Sequence, residues 1–184
     1  TTPQTQITLY NLTMNGGVFS STYNNNIAYM DLDGANDYLS RADEAGLDIT
    51  GALCLGGWFW FDVAGSGATP LTCAAKFGAA GQRSYLLDNA GSARLIVSSD
   101  GTALTTVTGV TDPSISTWYF MAGRYTPSTE IAVFLNNVKT TNVTSIPASL
   151  FNSTATFTIG ARDGGAQFLN GRATLCFLCS SDLT

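Results

Sequence analysis

Short apolar runs that alternate with polar residues recur along the chain, each ended by Gly, Asn, Asp, Ser or Pro, and this pattern constrains the fold more than any other feature. A strand sends successive side chains to opposite faces, so a period of two marks a sheet with one face turned to a core. Strands are expected near Gln6–Leu12, Ala28–Leu32, Tyr38–Ser40, Ala52–Asp62, Leu71–Phe77, Tyr85–Asp88, Ala93–Ser98, Ala103–Val107, Trp118–Tyr125, Glu130–Leu135, Lys139–Val143, Ala155–Ala161 and Arg172–Cys179. Helical periodicity is confined to Ser40–Leu47, enough for a turn only. Asp100-Gly101 and Asn136-Asn137 fall between alternating runs, where a hairpin needs residues that tolerate left-handed backbone. Many short strands at this spacing specify an all-β protein, a sandwich or barrel. The length of 184 residues suits one unit over 1–184, with an N-terminal strand arm within 1–12.

The segment Leu53–Phe61 shows how a core would be built. Odd positions carry Leu53, Leu55, Gly57, Phe59 and Phe61, and even positions carry Cys54, Gly56, Trp58 and Trp60. Both sets are apolar in the second half, which predicts a central strand covered on both faces. Trp58, Trp60 and Trp118 are accordingly expected in the core.

Charge is sparse. Charged residues make up 11% of the chain, against about 25% in an average soluble domain. The surface is therefore polar through Thr, Ser, Asn and Gly. It belongs either to a secreted protein poor in charge or to a surface covered by neighbouring subunits or glycans, since interface cores are depleted of charge. The net charge of −5 and the absence of any basic run argue against nucleic acid as a partner. No apolar run approaches the roughly 20 residues that span a bilayer, so membrane insertion is not expected. The chain opens Thr1-Thr2-Pro3, as a mature chain trimmed of an export signal would.

The cysteines are Cys54, Cys73, Cys176 and Cys179. Zinc would require a second C-x-x-C or histidines, and a redox C-x-x-C would require a βαβ context. The reading is one or two disulfides or buried thiols, with all pairings open except Cys176 with Cys179. An odd offset puts those two on opposite faces of a strand. Asn11, Asn142 and Asn152 begin N-x-[ST] sequons, candidates for glycosylation.

Catalysis is not expected. The chain has no histidine, which removes the Ser-His-Asp and Cys-His arrangements. Its glutamates, Glu44 and Glu130, are far apart in sequence, and glycoside hydrolysis needs two carboxyl groups on one site. No cofactor is required. The densest oxygen cluster is Asp31, Asp33, Asn36 and Asp37, a set of hard ligands that a structural calcium would take. The same residues serve equally as turn caps. For a sugar, an exposed ring must stand beside hydrogen-bonding groups. Arg83, Tyr85 and Asn89 form one candidate set, and Arg162, Asp163, Gln167 and Asn170 form another.

Four ordered blocks carry a family resemblance. They are Met30-Asp31-Leu32-Asp33-Gly34-Ala35-Asn36-Asp37-Tyr38-Leu39; Leu47-Asp48-Ile49-Thr50-Gly51 leading into Ala52–Phe61; Trp118–Tyr125 followed by Val133–Val138; and Phe157–Arg162 followed by Phe168–Arg172 and the closing strand. Together they resemble the laminin-G-like domains of the concanavalin A-like lectin/glucanase superfamily. The resemblance implies a two-sheet antiparallel jelly-roll β-sandwich of about 12 to 14 strands. Two departures stand out. The carboxylate pair usual in the closing strand is missing, which weakens an inherited calcium site, and Phe120 stands where His is frequent and reads as a packing residue. In related sandwiches the last and central strands are neighbours, which implies a Cys54–Cys179 disulfide and leaves Cys73 with Cys176. The fold hosts lectins, adhesion modules, glycosidases and virion proteins. The family habit implies a non-catalytic extracellular adhesion module that recognises a glycan or surface polymer, displayed on a cell or virion surface as a homo-oligomer or within a larger assembly. The alternative is a structural or decoration subunit of a virion or extracellular filament with no ligand of its own.

Overall fold

The computed structural model describes residues 11–23 and 27–181. Fourteen strands run among them: β1 (Thr13–Asn15), β2 (Val18–Tyr23), β3 (Ile27–Asp33), β4 (Tyr38–Arg41), β5 (Leu53–Phe61), β6 (Leu71–Phe77), β7 (Arg83–Asn89), β8 (Ala93–Val97), β9 (Thr105–Thr108), β10 (Trp118–Thr126), β11 (Glu130–Leu135), β12 (Val138–Asn142), β13 (Phe157–Ile159) and β14 (Asn170–Cys179). They form two antiparallel seven-stranded sheets, ordered β1-β4-β13-β6-β7-β8-β9 and β12-β11-β10-β5-β14-β3-β2. The sheets pack face to face as a jelly-roll sandwich, the arrangement that lets each bury its apolar face against the other.

The alternation in β5 does what its sequence dictates on one side. Leu53, Leu55, Phe59 and Phe61 are fully buried between the sheets, facing Cys73, Tyr85, Leu87 and Leu95. Each such side chain contributes about 1.5–3 kcal/mol through the surface it removes from water. A second, smaller apolar cluster of Ala75, Phe77, Leu86 and Ile96 lies on the outer face of the first sheet.

Several expectations are corrected. The strand β5 is central, but the described residues do not fully cover its outer face: Trp58 is 38% exposed. Ser40–Leu47 does hold no more than a turn, as expected, a 3₁₀ turn over Ala45–Leu47. The run Ala103–Val107 pairs as Thr105–Thr108, because Asp100 caps the backbone of Thr102 and Ala103 and lengthens the loop. Strand β2 was not legible as a strand. The expected Gln6–Leu12 arm lies largely outside the described residues, and β1 begins at Thr13. The hairpin at Asn136-Asn137 forms as expected, with Asn136 in the left-handed region.

Candidate functional site

Even-numbered residues of β5 and β10 point out of the second sheet, and at the adjoining ends of the two strands they are aromatic: Trp58, Trp60, Trp118 and Phe120. Register pairs Trp118 with Trp60 and Phe120 with Trp58 across β10 and β5, and Arg172 with Trp60 across β14 and β5. The rings interlock. Trp60 meets Trp118 at 5.9 Å and Trp58 meets Phe120 at 5.9 Å, both edge-on. Phe120 stacks on Phe177 at 6.3 Å, and Tyr29 meets Trp118 at 6.1 Å. Edge-on and offset contacts are the geometries that aromatic quadrupoles favour. The rings reach from β10 to β3, four strands or about 14 Å.

Polar groups rim this platform. The Arg172 guanidinium lies between two rings, 5.0 Å from Trp60 and 5.4 Å from Tyr29, and its Nε is 3.4 Å from Asp31 Oδ1. The Trp60 indole donates to Asp62 at 2.8 Å. The expected core placement of Trp58, Trp60 and Trp118 is thus overturned. Gly57 holds the inner position between Leu55 and Phe59, so the indoles take the outer face. Phe120 does pack, but against its neighbours on the same outer face. Alternation alone contained this signal, since the even positions of β5 and β10 share a face once the strands pair.

Two of the sequence-derived sets are partly joined on the other sheet. Arg83 and Arg162 both lie over the Phe77 ring, 5.5 Å and 5.0 Å from its centre. Asp163 sits close to Gly78, and Gln167 accepts from the Thr72 amide. Tyr85 and Asn89 are corrected: both are buried, and Tyr85 packs against Phe157 in the core, so neither is a surface contact. A bulge causes the split. Phe77 pairs with Arg83 but Lys76 with Tyr85, leaving Ser84 extra and turning Arg83 and Tyr85 to opposite faces. Asn170 lies at the far end of β14, opposite Asp33. Buried Asp88 accepts two bonds from Arg94, at 2.9 and 2.6 Å, yet burial outweighs them and holds its carboxyl above the usual range.

The side chains of the Asp31–Asp37 cluster are engaged by backbone amides and by Arg172. Asp37 accepts from the amides of Gly17 and Asp33, Asp33 caps Ala35 and Asn36, and Asp31 pairs with Arg172. Those amide bonds hold the Asp33 carboxyl below its ordinary range. Among the described residues, no three His, Cys, Asp or Glu side chains gather as a metal site. Both glutamates are ion-paired, Glu44 with Arg41 and Glu130 with Arg124 and Lys139. Lys139 and Arg124 hold the Glu130 carboxyl low, which suits an anion and not a general acid.

All four cysteines are thiols in the structure. Cys54 and Cys179 stand opposite each other in register on β5 and β14. Cys176 turns inward over Gly57, where burial pushes its thiol up to about 12; Cys73 is buried and pushed higher still than usual by the same cause. Of the sequon residues, Asn11 and Asn152 are exposed, whereas the Asn142 amide donates to Thr106.

A laminin G family model, described as the concanavalin A-like lectin/glucanases superfamily, matches residues 33–173. The chain belongs to this superfamily. No curated protein matches at a significant level. Among solved structures, the receptor binding domain of botulinum neurotoxin C/D mosaic serotype is similar at TM-score 0.64 and 11% identity, covering 95% of this chain and 44% of that one. The binding domain of Paraclostridial Mosquitocidal Protein 1 is similar at TM-score 0.68 and 8% identity, over 95% and 45%. The binding domain of botulinum neurotoxin DC, in complex with rat synaptotagmin II, is similar at TM-score 0.68 and 9% identity, over 95% and 45%. The chain thus spans less than half the length of these neighbours. They establish the jelly-roll fold. No helix among the described residues is long and apolar enough to cross a membrane.

Proposed function

We propose that the chain is a non-catalytic binding module that recognises carbohydrate on the outer face of its second sheet, displayed outside the cell or on a virion surface. The observation that carries this reading is the platform of Trp58, Trp60, Trp118 and Phe120, half-exposed and rimmed by Arg172, Asp31 and Asp62. Sugars offer apolar C–H faces to aromatic rings and hydroxyls to carboxylates and guanidinium groups, and this surface supplies both. A strip of interlocked rings on an open sheet face suits an extended glycan better than a small molecule, which calls for a concave pocket. Similar solved structures include toxin binding domains, among them that of botulinum neurotoxin DC in complex with SialylT, which supports a binding role. The same reading includes a Cys54–Cys179 disulfide, as an oxidising exterior would form.

Retention on immobilised polysaccharides tests the proposal. Wild-type protein is expected to be retarded on at least one polymer. Trp58→Ala with Trp60→Ala is expected to lose about tenfold or more in affinity, since base-like stacking on one ring is worth about 1–3 kcal/mol. Retention that survives both substitutions, with the fold intact by circular dichroism, overturns the site. A second reading rests on the same half-exposed rings together with the 11% charge content: the face is a contact in a larger assembly. In that case Trp58→Arg releases monomers from the native assembly and no polymer retards the wild type.

A further inference from the structure

Every basic side chain except Arg83 has a carboxylate partner among the described residues. Arg162 has only a shared one. It approaches Asp88 at 3.9 Å, while both oxygens of Asp88 are already held by Arg94. Arg83, with no carboxylate partner among the described residues, and Arg162, with only this long contact to a carboxylate that Arg94 already holds, therefore lie over one ring, that of Phe77. Burial, and then the charges of Arg94 and Arg83, hold the Arg162 guanidinium below its ordinary range in spite of Asp88. Asp163, next in the chain, makes no ion pair with either arginine among the described residues. Like charges gathered with too few counter-charges are stabilised by an anion that enters between them.

Unmet hydrogen bonding marks the same strip. Arg83 Nε, Arg162 Nε, Thr72 Oγ1 and Gln167 Oε1 are shielded from solvent and have no protein partner. Thr72 is the register partner of Asp88, and its amide is bonded to the Gln167 carbonyl. Unpartnered buried polar atoms cluster at functional positions because each costs about 1–3 kcal/mol. The set mixes donors with acceptors. A bare inorganic anion answers only the donors, whereas a sugar acid brings a carboxylate for the guanidinium groups and hydroxyls for the acceptors.

We propose that the outer face of the first sheet carries a second, separate site that binds an acidic sugar, with Arg83 and Arg162 taking its carboxylate and Gln167 taking a hydroxyl. The site is on the opposite side of the sandwich from the aromatic platform and does not depend on it.

The test follows the arginine Nε–H signals by ¹⁵N NMR, at constant ionic strength, while sodium glucuronate, sodium sulfate or glucose is added to the whole chain. Glucuronate is expected to shift the Arg83 and Arg162 signals to saturation, sulfate to need about tenfold more, and glucose to leave them unmoved. Arg83→Gln is expected to raise the glucuronate half-saturation about tenfold, the loss of one charge-assisted hydrogen bond. Because Arg83 holds no ion pair, this variant keeps its fold. Arg162→Lys keeps the charge but loses the two-pronged geometry and is expected to weaken binding as well. Unsaturable shifts, equal saturation by sulfate and glucuronate, or an Arg83→Gln curve matching wild type would each overturn the proposal. The Trp58→Ala, Trp60→Ala variant separates the two sites: it is expected to bind glucuronate as wild type does, whatever becomes of polysaccharide retention.

Discussion

Lys76 is buried to 1% side-chain exposure within β6, where its ammonium donates to Asp43, to Asp48 at 2.9 Å and to the Ser153 carbonyl at 2.6 Å. A buried charge is tolerated only when it is paired and hydrogen-bonded, and here two loops, β4–β5 with Asp43 and Asp48 and β12–β13 with Ser153, converge on it. Lys76→Met is expected to lower stability by about 2–3 kcal/mol, measured by urea unfolding, since charge-assisted hydrogen bonds are worth about 1.5–3 kcal/mol each and both aspartates can return to water. The variant carries a second signature. The Lys76 hydrogen bond is the largest cause holding the Asp48 carboxyl below its ordinary range. A depressed carboxylate contributes stability above its unfolded pKa and loses it as pH falls through the folded one. Lys76→Met therefore flattens the acid side of the stability curve. None of this was legible in the sequence, because Lys76 is 33 and 28 residues from its acidic partners. The misplacement of Tyr85 has a similar origin. Strict alternation joins it to Arg83, and the single extra residue Ser84 separates them.

At the scale of elements, β14 shows both what alternation reveals and where it stops. The strand reads as the closing strand of a sandwich, and its pairing with β5 and β3 follows from that. Its bulge does not read. Thr174 pairs with Trp58 and Phe177 with Gly56, so β14 spends one residue more than β5 over the same length, and Leu175 adopts φ 50° with its side chain in solvent. The extra residue turns Cys176 into the core and brings Phe177 to the aromatic face and Cys179 opposite Cys54. Directly opposed residues in antiparallel strands have Cα atoms about 4.5–5.5 Å apart, inside the disulfide range. With glutathione disulfide as oxidant, Cys54 and Cys179 are expected to bridge, seen as a linked peptide in a non-reducing digest. The step passes two electrons to the oxidant and releases two glutathione thiols. Deleting Leu175 removes the extra residue and leaves Phe177, Leu178 and Cys179 opposite Gly56, Leu55 and Cys54, so the linked peptide is expected to persist, whereas deleting Leu178 slips Cys179 by one residue to the other face and is expected to abolish it. A linked peptide that persists in the Leu178 deletion would overturn this register. The aromatic face teaches the same lesson. The identities of Trp58, Trp60, Trp118 and Phe120 were plain, but two apolar faces on one strand do not say which is covered from outside.

At the scale of the whole molecule, the absence of histidine shapes the response to pH. Unperturbed histidine is the side chain that changes charge between about pH 5 and 8, so the folded chain passes through neutrality with little change in protonation. On the acid side, Asp48 and Glu130 are held low by their lysine partners and contribute stability that disappears as pH falls below the ordinary carboxylate range. Asp88 opposes them: burial raises its pKa, so the folded state takes up that proton more readily and gains as pH falls. Backbone amides hold Asp33 and Asp100 low as well, so one raised group against four depressed ones leaves a net acid loss. On the alkaline side, Cys176 titrates near 9.0 when unfolded but at about 12 when folded, and Cys73 is raised as well. Stability from these thiols is complete below the unfolded value and is lost as pH climbs toward the folded one. Thermal unfolding in reductant is therefore expected to show a level midpoint from about pH 6 to 8, a fall below about pH 4 and a second fall above about pH 9. Cys73→Ala with Cys176→Ala lowers the plateau, because it leaves space in the core, but straightens the alkaline limb. An alkaline limb unchanged in that variant would show that the buried thiols are not its source, and would place them in a setting wetter than the sandwich interior.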